Sequence, residues 1–295
     1  MSVATLIAGA GTTLDADAIP VAQREIGATG ARPGSTLWLA PGTAVDIAFT
    51  GALNGVDAAL RAAFAGRPID IAVQPAEGRR KRLLVADMES TIVTRELLDE
   101  LAGFAGIKVQ ISTITARTME GELDFAQSLR ERVALLAGLP ELVTEQVKAL
   151  IELTPGARTL VRTMRAHGAY TALVSGGFDC FTAIAAAACG FGEHHGNRLL
   201  IENGRLTGRV AEPVFGPPAK LAALVELTAA RGLTPADAAA VGDGANDIPM
   251  LRAAGLGVAY RGKPAVSAAA RFRLDYADLT GLLFLQGYRT VDLVN

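Results

Sequence analysis

Cysteine is almost absent from this chain: Cys180 and Cys189 are the only two in 295 residues. So few leave no disulfide framework and no thiolate zinc site. An excess of basic charge is missing too, since 28 Lys and Arg stand against 30 Asp and Glu, for a net charge of −2. Nucleic-acid and membrane-surface proteins carry a basic footprint, so neither partner is expected. No apolar run reaches the ~18 residues of a membrane span. The first basic residue is Arg24, so the apolar stretch Val3–Ala10 lacks the charged start of a signal peptide. The expectation is a soluble, cytoplasmic protein. Lysine is scarce as well. Lys81, Lys108, Lys148, Lys220 and Lys263 are the five, against 23 arginines, so a lysine near a site needs a reason of its own. What is plentiful is apolar surface: half of the residues are hydrophobic and 20% are charged, enough to bury a large core in two or three domains.

The chain reads as α/β, in three stretches. In residues 1–78, Val3–Ala8 is a short strand, and Asp15 or Asp17 caps a helix running to about Ile26. Ser35–Ala40 and Val45–Phe49 are strands about Pro41-Gly42, Gly55–Ala65 is helical, and Ile69–Val73 alternates as a last strand. The β-α-β-β-α-β order is ferredoxin-like. Gly9-Ala10-Gly11 is no dinucleotide loop, because Leu14 stands where its third glycine is needed. Glu77-Gly78-Arg79-Arg80-Lys81-Arg82 reads as a solvated connector. From residue 79 to 295, strands alternate with helices, which implies a Rossmann-like open parallel sheet. A helical insertion at about 95–155 would lie over its carboxyl edge, where ligands bind. Trp38 and the ten phenylalanines are expected in cores, Cys180 and Cys189 in packing, and Glu193-His194-His195 in a solvent-facing turn.

Four places carry chemistry. Asp87-Met88-Glu89-Ser90-Thr91 follows the strand Leu83–Ala86, and residues i and i+2 on extended chain point the same way, about 6.5–7 Å apart. One carboxylate can attack an electrophile while the other manages a proton; an acidic helix cap is the plainer alternative. Val174-Ser175-Gly176-Gly177-Phe178 offers a hydroxyl and approachable backbone N–H groups before a helix, as an anion site does, or as a plain turn does. Gly242-Asp243-Gly244-Ala245-Asn246-Asp247 supplies hard oxygen donors that suit Mg²⁺, or forms an Asx-rich turn. Lys220 stands in the first turn of a helix, where its charge opposes the helix dipole, a cost that makes sense if the ammonium faces a phosphate. All four lie along one sheet edge. Together they make a phosphoryl-transfer site.

In this combination the four motifs resemble those of the haloacid-dehalogenase-like phosphatases, and among them the phosphoserine phosphatases. Met119-Glu120-Gly121, Phe125, Gln127-Ser128-Leu129-Arg130 and Arg132-Val133 resemble that family's cap, and Asn197-Arg198-Leu199 with Gly204-Arg205-Leu206-Thr207-Gly208 its later hairpin. The resemblance implies Mg²⁺-dependent hydrolysis of O-phospho-L-serine to serine and phosphate, the last step of serine biosynthesis. Asp87 would be the nucleophile and Glu89 the acid and base. Asp87, the Glu89 main-chain carbonyl and Asp243 would hold the metal, with Asp247 beside them. Ser175, Gly176, Lys220 and Asn246 would hold the phosphate. Glu96 would meet the substrate ammonium, Arg132 its carboxylate, and Phe125 would close over it. One departure stands out, because the family's second acid is usually Asp and here it is Glu89. Residues 1–78 resemble an ACT-like domain in element order alone, with a regulatory role or homodimer formation implied. Two alternatives stay open: turnover of another small phosphorylated amino acid or alcohol, and a non-catalytic amino-acid sensor on a degenerate phosphatase core.

Overall fold

The computed structural model describes residues 1–119 and 122–295, with the side chain of Met119 left out. The cap stretch Met119-Glu120-Gly121 therefore lies largely outside the described residues. In the N-terminal unit, strands β1 (Ser2–Ala8), β2 (Arg32–Ala40), β3 (Ala44–Thr50) and β4 (Ile69–Pro75) form an antiparallel sheet in the order β2-β3-β1-β4. Helices α1 (Ala18–Ala28) and α2 (Val56–Ala63) cover one face through Ala22, Ile26, Val56 and Leu60.

The other face of that sheet is not free. Ile7, Leu39, Ala44 and Ala72 join the core of the larger unit, as the alternation of strand side chains dictates. The polar residues of this face are matched one by one. The Asp70 carboxylate accepts the backbone N–H groups of Asp275, Tyr276 and Ala277 at 2.7, 3.1 and 2.8 Å. Gln74 Nε2 donates to the Leu285 carbonyl at 2.7 Å. Gly9 is needed for the same approach, since a Cβ there would stand 2.9 Å from Tyr276 Cβ.

The connector is solvated at Glu77, Gly78, Arg80 and Arg82, as the sequence reading expects, and departs from it at Arg79 and Lys81. Arg79 is almost buried and bonds Asp46 at 2.6 Å. Arg80 lies over the Tyr288 ring, 4.2 Å from its centroid, and the Lys81 ammonium donates to the Gly78 and Ala236 carbonyls. Charge runs are usually solvated because burial costs them hydration; Arg80 and Arg82 keep to that and are exposed, while Arg79 and Lys81 meet partners that offset the cost. Trp38 is a second correction. It is 38% exposed on the edge strand β2, and Phe104 is 49% exposed on the cap, because neither position has a layer packed over it.

The larger unit is a six-stranded, all-parallel sheet. It is built from β5 (Leu83–Ala86), β6 (Tyr170–Phe178), β7 (Glu193–Asn197), β10 (Ala238–Gly242), β11 (Leu256–Tyr260) and β12 (Phe272–Leu274) in the order β12-β11-β10-β5-β6-β7. β5 and β10 are buried throughout, as strands covered on both faces must be. The covering helices are α7 (Ala157–Ala166), α8 (Asp179–Cys189), α9 (Pro217–Ala229), α10 (Ile248–Ala253), α11 (Pro264–Ala269) and α12 (Gly281–Leu285). The chain leaves β5 toward β6 and returns later to β10 on its other side. That reversal opens a crevice at the strands' carboxyl ends.

The cap follows β5 as α3 (Leu97–Ala105), α4 (Lys108–Met119), α5 (Phe125–Ala134) and α6 (Leu142–Lys148). The hairpin of β8 (Leu199–Glu202) and β9 (Arg205–Val210) holds its second half by main-chain bonds, Gly138 N–H to Leu206, Leu206 N–H to Leu139 and Glu141 N–H to Gly204. The segment Glu193-His194-His195 is a third correction: it is the edge strand β7, not a turn. His194 and His195 are exposed there, with His194 Nδ1 2.8 Å from Thr182 Oγ1 and His195 stacked on Phe215.

Candidate active site

The crevice holds a cavity of about 440 Å³ between sheet edge and cap. Asp87, Glu89, Glu96, Phe125, Arg132, Ser175, Gly176, Asp243 and Asn246 all line it. Lys220 and Asp247 lie beneath its floor, and both are fully buried. Every residue singled out from the sequence is thus at this one place.

At the floor, the Lys220 ammonium bridges Asp87 Oδ1 and Asp247 Oδ1, each at 2.7 Å. Burial alone would strip the charge from Lys220, but the two carboxylates overcome it and hold the pKa above that of an ordinary lysine. Asp87 Oδ1 also accepts its neighbour Met88 N–H at 2.8 Å, and Asp247 Oδ2 accepts Gly244 N–H at 3.0 Å. One Asp87 oxygen is therefore locked, while among the described residues Oδ2 has no protein partner. Burial, and the Asp247 charge next, push the Asp87 carboxyl well up, against the pull of Lys220.

Carboxylate oxygens of Asp87, Asp243 and Asp247 lie within 4.8 Å of one another. Asp243 has no hydrogen-bond partner for its side chain among the described residues, and burial with the Asp247 charge raises its pKa to about 6. Oxygen donors, negative charge and spacing fit a hard divalent cation.

Glu89 reaches toward the same floor from the i+2 position. Its Oε1 accepts the Leu97 N–H at 2.9 Å, at the start of α3, so the first cap helix anchors the carboxyl. Burial, reinforced by the charge of Glu96, lifts Glu89 to about 7. Opposite, Ser175 Oγ accepts the Gly177 N–H at 2.9 Å. Ser175-Gly176-Gly177 is the end of β6 itself, which runs to Phe178, rather than a turn after it.

The cap brings the other pole. Arg132 Nε donates to the Ser128 carbonyl at 3.2 Å, and no carboxylate among the described residues pairs with its guanidinium. Glu96 Oε1 accepts from Ser90 Oγ at 2.7 Å, and Ser90 takes a left-handed φ of 54° to make that bond. The Phe125 ring crosses Gly176 and Gly216 so closely that a Cβ on either would stand 2.7 or 2.8 Å from it. The cap therefore rests on two bare backbones.

Two residues escaped the sequence reading as parts of the site. Asn197 is buried at the end of β7, and its amide joins the Gly176 carbonyl at 2.8 Å to the Phe215 carbonyl at 2.9 Å. It ties the end of β6 to the lead-in of α9. Lys263 lines the cavity mouth. Its rarity as a lysine was the one signal that could have found it.

The comparisons agree with this geometry. The family model for haloacid dehalogenase-like hydrolases matches residues 84–252. The chain belongs to the haloacid dehalogenase-like hydrolases. It is 42% identical over 250 residues to a phosphoserine phosphatase of Streptomyces coelicolor, covering 84% of this chain and 61% of that one. A phosphoserine phosphatase of Lactococcus lactis is 44% identical, covering 69% of this chain and 94% of its own. Among solved structures, a haloacid dehalogenase family hydrolase of Salmonella enterica serovar Typhi superposes with a TM-score of 0.84 at 30% identity, over 97% of this chain and 98% of that one. The chain spans about three fifths of the length of the Streptomyces relative. No helix among the described residues is long and apolar enough to cross a membrane.

Proposed function

We propose that this chain hydrolyses O-phospho-L-serine to L-serine and phosphate, as the last step of serine biosynthesis in the cytoplasm, through an aspartyl-phosphate on Asp87. The observation that carries the reading is the divided Asp87 carboxylate: one oxygen held by Lys220 at 2.7 Å, the other bare and facing the cavity. A nucleophile needs that orientation more than it needs basicity.

Asp87 Oδ2 attacks phosphorus as the bond to the serine oxygen breaks, and Glu89 gives that oxygen its proton. Glu89, now a carboxylate, takes a proton from water as the water oxygen attacks phosphorus, and the Asp87–phosphorus bond breaks. A group near pKa 7 can serve both halves. Lys220, Asn246, Ser175 and the Gly176 backbone hold the phosphoryl oxygens. Mg²⁺ on Asp87, Asp243 and the Glu89 carbonyl, with Asp247 beside them, would neutralise phosphate charge. Substrate choice rests on the opposite charges of Glu96 and Arg132 in one cavity: one takes an ammonium, the other a carboxylate. Phe125 covers the substrate and keeps bulk water off the intermediate. The N-terminal unit would regulate or dimerise the enzyme, with the exposed edge strand β2 as the surface that supports a homodimer.

The test is phosphate release from phosphoserine, phosphothreonine, phosphoethanolamine, glycerol phosphate and p-nitrophenyl phosphate, with Mg²⁺ and with EDTA. Turnover concentrated on phosphoserine, lost in EDTA and in Asp87→Asn, is expected. Equal turnover across the panel would remove the substrate assignment, and turnover by Asp87→Asn would remove the mechanism.

A further inference from the structure

We infer that the Lys263 ammonium is the entrance cation of the site: it draws the phosphate dianion of substrate and product to the cavity mouth and helps set their affinity, while taking no part in bond breaking. The ligand class rests on the phosphomonoester reading above.

The need for such a cation follows from the other charges. Glu96, Asp99 and Asp243 all line the cavity, and Glu96 and Asp99 are exposed at its opening, so an approaching anion meets negative charge first. The cations that balance it lie deeper. Lys220 has no exposure and is locked between two carboxylates. Arg132 is half-buried under the cap, with Nε committed to Ser128. Lys263 is different: it lines the same cavity and is exposed, and among the described residues its ammonium has neither an ion pair nor a hydrogen bond.

Its position is set by backbone alone. The Lys263 N–H donates to the Asp243 carbonyl at 3.1 Å, and the Lys263 carbonyl accepts from Val266 and Ser267 at 2.9 and 3.0 Å at the start of α11. The root of the side chain is thereby pinned to the loop that carries Asp243 and Asn246, and the four-carbon stem is left to move. Burial and Asp247 raise the Asp243 carboxyl, and Lys263 is the first charge that pulls it back, consistent with an ammonium close to that carboxylate. A point charge on a flexible stem beside a fixed anion site suits capture and release, and the charge of an arginine can replace it there.

The experiment compares the full chain with Lys263→Gln and Lys263→Arg in the presence of Mg²⁺. Inorganic phosphate binding is measured by calorimetry from low to about 0.5 M salt, and phosphoserine turnover is measured in parallel. One cation acting through water on a dianion is worth roughly 3- to 10-fold in affinity at low salt and little at high salt. Lys263→Gln is expected to weaken phosphate binding by that factor at low salt only, with the loss in turnover falling on KM rather than kcat, and Lys263→Arg to restore binding. Unchanged phosphate affinity in Lys263→Gln overturns the inference. So does a deficit that persists at high salt, or one that falls on kcat alone. Should the parent chain bind phosphate but leave phosphoserine intact, the substrate assignment fails, and the calorimetric comparison still decides the role of Lys263.

Discussion

Gly177 is the position at which the longer acid, Glu89, can be tested against its surroundings. A Cβ at Gly177 would stand 2.8 Å from Glu89 Oε2 and 3.1 Å from Ser175 Oγ, well inside ordinary contact. Its backbone lies outside the left-handed region, so alanine is tolerated by the main chain and the whole cost falls on these side chains. Glu89 can yield only by swinging away. That movement gives up the 2.9 Å bond from Leu97 N–H, a charge-assisted bond worth about 1.5–3 kcal/mol, and takes the carboxyl from the leaving oxygen. Positioned proton transfer contributes roughly 10²–10⁴-fold, so Gly177→Ala should lose about 100-fold in kcat on phosphoserine, and the lost bond should lower Tm by several degrees. Glu89→Asp withdraws the carboxyl by one methylene, roughly 1.5 Å, and by itself should stay within about tenfold of the parent on the scale of general acid–base effects. The double variant Gly177→Ala/Glu89→Asp should then run at least about tenfold faster than Gly177→Ala, because the two changes relieve one contact. The assay is steady-state phosphate release at saturating Mg²⁺, with melting curves alongside. Gly177→Ala within threefold of the parent, or a double variant no faster than the single one, would refute the reasoning.

With Glu89 near 7 and Asp243 near 6 before metal binds, kcat/KM should fall as pH rises through about 7, where the leaving group loses its acid. At limiting Mg²⁺ it should also fall below about 6, where protons displace metal from Asp243; a profile still climbing from pH 7 to 9 excludes Glu89 as the acid. Mg²⁺ at about 100 times its Kd should stabilise the fold by roughly 2.7 kcal/mol, read as a rise in Tm, and Asp243→Asn should abolish most of that rise. Asp70→Ala leaves three N–H groups, one buried and two part-buried, without their acceptor and should cost about 2–4 kcal/mol in urea denaturation; a cost under about 1 kcal/mol would mean that water replaces the carboxylate. Removing residues 1–78 bares the apolar face that Ile7, Leu39 and Ala72 cover, so the truncated chain should melt lower and aggregate. A soluble fragment with the parent Tm would show the N-terminal unit to be a detachable module.

Much of this protein was legible in the order of its residues. Strand period and turn chemistry located β1 to β5, and the i, i+2 rule put Asp87 and Glu89 side by side. The ligand motifs sit at strand ends, and a parallel sheet brings strand ends to one edge, so local sequence already implied a shared site. Glu96, Phe125 and Arg132 were different. On amphipathic helices they look like surface or core residues, and only resemblance to a family set them apart. What tertiary structure alone decided is how separate segments meet. The connector Arg79-Arg80-Lys81 has the composition of a solvated run, yet Asp46, Tyr288 and the Ala236 carbonyl lie where the two units dock. Trp38 has the composition of a core residue and lies at an open sheet edge. Asn197 and Lys263 reach the site from β7 and the start of α11, elements with no motif of their own. Periodicity and capping act over a few residues and so can be read along the chain, whereas a side chain's partner in a dense core is set by where distant elements pack.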